Sequence, residues 1–464
     1  MGILDSIPHT AGGLAGTLAL LIWDACLFAS GRRPFIIREL HKTYGDVVRI
    51  APNELSFASV NSYRDIYGHA SKTRRPFEKG QFYHRDKKHL SIIDSKGQDH
   101  RNQRKALSNA FSAKALRDQE DVVQHYVNMF NNQLGTWSLR PNGINIAESL
   151  NWITFDIIGE LAFGESFKAV EAGKTHPWVS LLIDSVMELN LIGLRKRIPI
   201  LTLLLPFLVP RGLAAKFAAH WAFVLEMTKK RIAKKDTIKR TDFFQHILEH
   251  GMMEEALLTE NANLLIVAGS ETTATALSGC MYYLTHDDKC LAKLQHEVRN
   301  AFDSPDLIDG DTTQKLPYLH ACIEESLRMY PPVAIGLPRV SHGATIDGHW
   351  IPAGVEVSSH NWTLMRDARY WKDPNSYRPE RWVGEGFGDN KDAFQPFSLG
   401  ARACIGINLA YMEMRIILAK MVWKYDFELL SKELDWERDN MSYLLWQKPV
   451  MNMKFHPRTG VVYS

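Results

Sequence analysis

Residues 397–406 read Phe-Ser-Leu-Gly-Ala-Arg-Ala-Cys-Ile-Gly. At ordinary residue frequencies the spacing Phe-x-x-Gly-x-Arg-x-Cys-x-Gly is a chance event of roughly one in ten thousand for a chain of this size. The residue types serve one kind of site. Cys404 stands just before a helix predicted over about 407–425, where unpaired N–H groups and the helix dipole favour a thiolate. Gly400 and Gly406 carry no Cβ, so the backbone can approach a flat cofactor closely. Arg402 offers a fixed cation to an acidic group. Phe397 can pack against the sulfur and shield it from water.

A second constellation is Ala268-Gly269-Ser270-Glu271-Thr272-Thr273, inside an apolar stretch predicted to be a long helix. Ala268 and Thr272 are four apart and share a face. That face runs back through Leu265, Leu264 and Asn261. Small residues at 268 and 269 leave room for a diatomic molecule. Gly269 weakens a helix by ~1 kcal/mol relative to Ala, which permits a local bulge. Thr272 brings a hydroxyl and Glu271 a carboxylate, together a proton relay. The plainer alternative is a buried helix whose Thr bonds back to its own carbonyls.

Three further sets are weaker alone. Glu325 and Arg328 lie three apart on a predicted helix and can interact. About one such pair is expected by chance in a chain of this size. Its weight comes from Tyr330-Pro331-Pro332 just after it and Pro379-Glu380-Arg381-Trp382 further on. His100 and Arg104 are four apart where Asp99 opens a helix. Arg339 lies in a strand-like piece after the proline pair. Arginine suits carboxylates because its fork binds two oxygens.

The elements that must position these residues are mostly helical. The chain has 464 residues, 45% hydrophobic and 23% charged, ordinary values for a globular protein. Apolar residues at i, i+3 and i+4 predict helices over 113–137, 151–163, 214–235, 256–284 and 287–302. Strand-like pieces fall at 47–57 and 336–358. No internal repeat and no low-complexity linker divides the chain. The expected fold class is mainly α with a small β lobe (α+β). A net charge of +3, from 55 Lys+Arg against 52 Asp+Glu, gives no reason to expect nucleic acid. Five scattered cysteines, with no CxxC pair, suit a reducing, cytosol-facing compartment.

The Phe397–Gly406 segment resembles the haem-binding signature of the cytochrome P-450 superfamily, whose iron is held by a cysteine thiolate. The other motifs stand in that family's order from about Phe35 to His456. Residues 38–57 and 155–167 resemble filamentous-fungal members of secondary metabolism, of the isotrichodermin hydroxylase type. Ala401 stands where many members have Pro. The resemblance implies the cytochrome P-450 fold, with Cys404 as the axial ligand of haem b. It implies that His100, Arg104, Arg339 and Arg402 contact the haem propionates. It also implies a locking triad of Glu325, Arg328 and Arg381, and an acid–alcohol pair of Glu271 and Thr272 beside Ala268. The reaction implied is insertion of one oxygen atom from O2 into a small apolar natural product (a terpenoid, polyketide or alkaloid), by hydroxylation or epoxidation.

There is no Walker loop and no GxGxxG fingerprint, and no length is left for a flavin domain. Electrons must come from NADPH through a separate flavoprotein reductase, with cytochrome b5 as a further donor. Lys105, Lys114, Arg117, Arg402, Arg415 and Lys420 are candidates for a basic docking face. Pocket walls are expected from residues 77–93, 185–194, 261–272, 333–337 and 443–446. Residues 1–30 are expected to be an N-terminal apolar segment, an interfacial helix or a truncated membrane anchor, ahead of a single catalytic domain over 31–464. The apolar run at 198–209, flanked by Arg195, Lys196, Arg197 and Arg211, is expected to be core or to dip into a bilayer surface. These features imply the cytosolic face of the endoplasmic reticulum membrane. A haem-thiolate isomerase or dehydratase would often lack the acid–alcohol pair. A non-catalytic haem or lipophile binder would keep the pocket without turnover.

Overall fold

The computed structural model describes residues 11–71, 74–85, 87–179, 212–237, 242–249 and 251–458. Segments 185–194 and 198–209 lie outside them. Helix Ala113–Trp137 has the predicted bounds. Its apolar stripe, from Ala115 and Leu116 to Leu134 and Trp137, is buried, and Ser112 caps its start by accepting from the Ala115 N–H. Helices Leu213–Ala233, Glu255–Thr285, Asp288–Ala301 and Ile407–Lys424 fall within two residues of expectation. Helix Ile146–Phe163 starts five residues earlier than predicted. It is buried on nearly every face, so the period that marks a half-buried helix is absent from its first turn.

Helix Glu255–Thr285 is the central element. It packs along Ile146–Phe163 and also touches Pro317–Met329, Ile407–Lys424 and Leu213–Ala233. Among the described residues it is the helix long and apolar enough to cross a membrane, but 72% of its apolar window is buried inside the fold. Its apolarity is that of a core helix.

The β lobe is a five-stranded sheet in the order Val47–Ala51, Glu54–Phe57, Glu356–Ser359, Arg339–Val340, Glu78–Lys79. Strand Glu54–Phe57 runs parallel to Glu356–Ser359, and the other pairs are antiparallel. The register sets Lys79 opposite Arg339. A second small sheet joins Ile144–Asn145, Asn452–Pro457 and Tyr425–Leu429.

The N-terminal apolar stretch is a helix, Ala11–Ala29. Asp24 is buried and bonds Arg33 at 3.0 Å, and Arg33 reaches Glu54 at 3.0 Å. Leu27 packs in a small core with Ile37, Val48 and Ile50. The C-terminal half of this helix is therefore fastened to the β lobe, while Ile22 stays 54% exposed.

Candidate active site

The cysteine loop is shaped by its own backbone. Ser398 and Gly400 have positive φ, 61° and 75°. The Cys404 N–H donates to the Phe397 carbonyl at 2.8 Å, closing the loop. Gly400 is required for a reason the sequence did not reveal. A Cβ there would sit 2.3 Å from the Tyr67 carbonyl oxygen, so the close approach is to the chain after helix Val60–Tyr67, not to a flat ligand. A Cβ on Gly406 would meet only ordinary contacts, one of them Cys404 Sγ at 4.0 Å. Cys404 lines the main cavity with Phe397, Arg402 and Gly406. Burial pushes its thiol up from the ordinary value, while the Gly406 N–H and the Arg104 guanidinium oppose that.

Across the cavity stand Ala268, Gly269, Thr272 and Thr273 of the central helix, with Ile158, Leu265, Val333 and Leu337 as apolar walls. The Thr272 hydroxyl donates to the Ala268 carbonyl at 2.6 Å, the plainer of the two expected arrangements. Glu271 does not line the cavity. It is 5% exposed, and its Oε1 pairs with the Lys448 ammonium. No bulge forms at Gly269, because the helix is continuous from Glu255 to Thr285. A Cβ at Gly269 would lie 2.5 Å from Ile158 Cδ1. Its smallness lets two core helices approach, which corrects the expectation of a bulge.

One rim of the site gathers cations. Arg402 lines the cavity, and Lys79, His100 and Arg339 lie within its electrostatic reach, with Arg104 close to His100. Burial lowers the His100 ring to about 4, helped by Lys79, Arg402, Arg104 and Arg339. Burial and the charges of Arg402 and Arg339 lower Lys79 to about 7. Lys79 was not foreseen. Its Nζ donates to the carbonyls of Ile92, Ile93 and Ser95 at 3.1, 2.5 and 3.0 Å. Glu78, the carboxylate nearest Arg402, is 3.5 Å away and 49% exposed, too long for a strong hydrogen bond. Asp94 lies 3.9 Å from Arg85. Arg104 Nη1 donates to the Ala403 carbonyl at 2.8 Å and so grips the cysteine loop.

Behind the site, Glu325, Arg328 and Arg381 come together with no exposure at all. Arg328 donates to both Glu325 oxygens at 2.8 Å. Arg381 reaches Glu325 at 2.9 Å and Asp389 at 2.5 Å. Trp382 Nε1 adds a bond to Glu325 at 2.9 Å. Asp389 and Trp382 complete a network of which the sequence suggested three members.

Several expected positions fall elsewhere. Among the described residues, those of 77–85, 87–93 and 443–446 do not line the cavity, whereas Tyr63, Tyr67 and Phe111 do. Asn261 is off the wall and bridges elements instead, accepting from the Ile92 N–H at 3.0 Å and donating to Gln103 at 2.9 Å. Of the basic face, Lys105, Lys114 and Arg117 are exposed. Lys420 is buried between Gln124 and Asn128, at 2.6 and 2.7 Å, and Arg402 belongs to the cavity.

The residues present fit haem. A thiol opens onto an apolar cavity whose far wall is small and apolar at Ala268 and Gly269. Lys79 and Arg339, each 4% exposed, face one another across a sheet register. Like charges directly opposite destabilise a sheet pair, so this edge is matched to an anionic ligand such as a pair of propionates.

The comparisons with known proteins agree. The profile of the family described as Cytochrome P450 matches residues 16–455. The chain is 41% identical over 448 residues to a cytochrome P450 monooxygenase, BOA3, of Botryotinia fuckeliana, covering 94% of this chain and 88% of that one. It is 39% identical over 449 residues to cytochrome P450 monooxygenase poxC of Penicillium oxalicum, covering 94% and 86%. It is also 39% identical over 433 residues to trichothecene C-15 hydroxylase of Fusarium sporotrichioides, covering 90% and 87%. The chain belongs to the cytochrome P450 family, and it is a monooxygenase that uses haem iron, O2 and electrons supplied by a reductase.

Proposed function

We propose that the enzyme hydroxylates or epoxidises a small, largely apolar natural product, a terpenoid, polyketide or alkaloid, in fungal secondary metabolism. The observation that carries this reading is the cavity itself, with Cys404 on one wall and Ala268, Gly269 and Thr272 on the other. Haem, when bound, would supply the activation of O2 and the transfer of one oxygen atom. The protein supplies position, charge and protons. Cys404 would hold the haem iron through its sulfur, supported by the Gly406 N–H, with Phe397 lining the same cavity. Arg339, Arg402 and His100 would hold the propionates, with Lys79 beside them. Arg104 fixes the cysteine loop through Ala403. The triad of Glu325, Arg328 and Arg381 holds the frame behind the cavity. Apolar side chains such as Ile158, Leu265 and Val333 exclude water and favour an apolar substrate. Thr272 and Glu271 deliver protons, which requires the Thr272 hydroxyl to leave the Ala268 carbonyl.

The redox partner is an NADPH-dependent flavoprotein reductase, with cytochrome b5 as a further donor. The exposed Lys105, Lys114 and Arg117 suit an acidic partner. The site of action is the cytosolic face of the endoplasmic reticulum membrane, with the N-terminal apolar segment as the contact. The test is the spectrum of the dithionite-reduced protein under carbon monoxide. A strongly red-shifted Soret band is expected, and its loss in Cys404→Ser. A folded protein without haem would overturn the reading. Type I spectral titration with a panel of terpenoids, polyketides and alkaloids then selects among substrate classes.

A further inference from the structure

Apart from Cys404 and Arg402, the cavity wall carries few polar side chains, and most of those are already occupied. The Tyr67 hydroxyl donates to the Leu337 carbonyl at 2.9 Å and accepts from the Ser359 N–H at 3.0 Å. Thr272 donates to the Ala268 carbonyl. Tyr63 shares a hydrogen bond with Ser398, and Thr273 shares one with Glu413. Ser359 and Asn361 are left over. Both line the cavity, and they are 2% and 6% exposed. Among the described residues, Ser359 Oγ and Asn361 Oδ1 find no hydrogen-bond partner, although both atoms are buried.

The backbone aims this pair. Strand Glu356–Ser359 ends at the serine, and helix Asn361–Leu364 begins at the asparagine. Between them His360 is extended, with φ −90° and ψ 122°. Side chains two apart on an extended segment share a face, so Ser359 and Asn361 turn to the cavity, which His360 does not line. Asn361 Nδ2 donates to the Val333 carbonyl at 3.3 Å. That bond orients the amide and leaves Oδ1 as a bare acceptor. The Val333 bond and the Tyr67 bridge to Leu337 set the pair beside the apolar wall those two residues form.

A buried polar atom without a partner costs the fold its full desolvation penalty, so a ligand that supplies the partner is favoured. One chemical group suits both atoms. A hydroxyl can donate to Asn361 Oδ1 and accept from the Ser359 hydroxyl at once. An ether or carbonyl satisfies the serine alone, a protonated amine the asparagine alone, and a hydrocarbon neither.

We propose that Ser359 and Asn361 anchor a hydroxyl that the substrate already carries. This rests on the reading of the enzyme as an oxidiser of small apolar natural products and narrows it: the skeleton is apolar but bears an alcohol before this enzyme acts. A hydration or an earlier hydroxylation must therefore supply the substrate. The anchor fixes the orientation of a skeleton that apolar walls alone leave free to turn. It also rejects unfunctionalised analogues, because they leave buried polar atoms unpaired.

The experiment titrates the haem-loaded parent, Ser359→Ala and Asn361→Leu with cyclododecanol, cyclododecyl methyl ether and cyclododecane. Binding is read as the shift of the Soret band and, independently, as the rise in melting temperature. The parent should bind the alcohol about 10-fold more tightly than the ether or the hydrocarbon. Each variant should lose most of that preference by weakening the alcohol alone. Ser359→Ala removes a hydroxyl that nothing in the chain bonds, so without ligand it should melt no lower than the parent. It keeps the proposal open to test where Asn361→Leu does not fold for want of its bond to Val333. Equal affinity for the three probes in the parent, or an alcohol preference that survives Ser359→Ala, would overturn the anchor and leave the apolar-substrate reading intact. Loss of haem from either variant, with the fold retained, would assign the pair to the haem and overturn the anchor as well. If no probe binds the parent, the apolar-substrate reading itself has failed.

Discussion

Two charge clusters flank the cavity, and they are built on opposite plans. Behind it, the guanidinium groups of Arg328 and Arg381 meet the carboxylates of Glu325 and Asp389, all at most 1% exposed. Spare donors are used up as well, since Arg328 Nη1 bonds the Met365 and Pro374 carbonyls, both at 2.8 Å. At the rim, Lys79, His100, Arg339 and Arg402 crowd together with Glu78 and Asp94 only loosely placed against them. The first cluster is electrically complete within the chain, and the second is complete only with an anion added. Composition does not separate a structural cluster from a binding one here, since both are rich in arginine. Whether the charges close within the chain does.

The largest effect expected from this contrast is in the closed cluster. Arg328→Ala removes one guanidinium and leaves buried acceptors unpaired, which costs about 3–5 kcal/mol when a buried pair is broken. Folded protein should fall sharply in yield and melting temperature, with or without haem. A variant that folds normally but loses haem would move the triad into the binding class and end the distinction.

The open rim should respond to pH. Lys79 is lowered from 10.5 to about 7 by burial and by Arg402 and Arg339. Between about 7 and 10.5 the unfolded chain therefore holds a proton that the folded chain does not. Stability of the haem-free protein should rise with pH across that window, by up to about 1.4 kcal/mol per unit. Lys79→Met should flatten the rise. Haem should flatten it too, because added carboxylates bring the lysine back towards its charged form. A slope unchanged by Lys79→Met in chemical denaturation would show that the rim is already neutralised.

Arg402→Leu should separate the two clusters by sign. Removing one of several like charges should leave the haem-free chain equally stable or stabilise it by up to about 1 kcal/mol. Haem retention should drop about 10- to 100-fold, the loss of one charge-assisted hydrogen bond at about 1.5–3 kcal/mol. Haem transfer to apomyoglobin measures the second quantity, and thermal melting the first.

What could be read from the chain divides along the same line. The cysteine loop is legible because its parts lie within ten residues. Helix Ala113–Trp137 is legible because one face is buried and the other wet. The triad is half legible: Glu325 and Arg328 are one helical turn apart, but Asp389 enters from a loop that carries no local signal. Lys79 is not legible at all. Its meaning comes from Arg339, a strand partner far along the chain, and no period or motif connects them. The Glu271–Lys448 pair spans 177 positions and hides for the same reason. Asn261 misled because its face of the helix was read correctly, while the packing of residues 92 and 103 against that face lay outside any local pattern.

A lone buried acid tests the rule at its weakest. Glu413 is 2% exposed, on the helix that follows the cysteine. Burial raises it to about 8, opposed only by a hydrogen bond with Thr273. Neither a cation nor an added ligand balances it, so a proton does. The folded chain then holds one proton more than the unfolded chain between about 4.5 and 8. This contribution is complete below 4.5 and is lost as pH rises through 8. At pH 4, where Glu413 is neutral in both the folded and the unfolded chain, Glu413→Gln exchanges one neutral hydrogen-bonding group for another and should change stability by less than about 1 kcal/mol. As pH rises from about 4.5 to 8 the variant should become the more stable protein, by up to about 1.4 kcal/mol per unit, because it has no carboxylate to protonate on folding. Denaturation at pH 4 and pH 9 decides the matter. Equal loss at both values would mean that Glu413 is charged in the fold, and that a buried charge here is tolerated without a cation beside it.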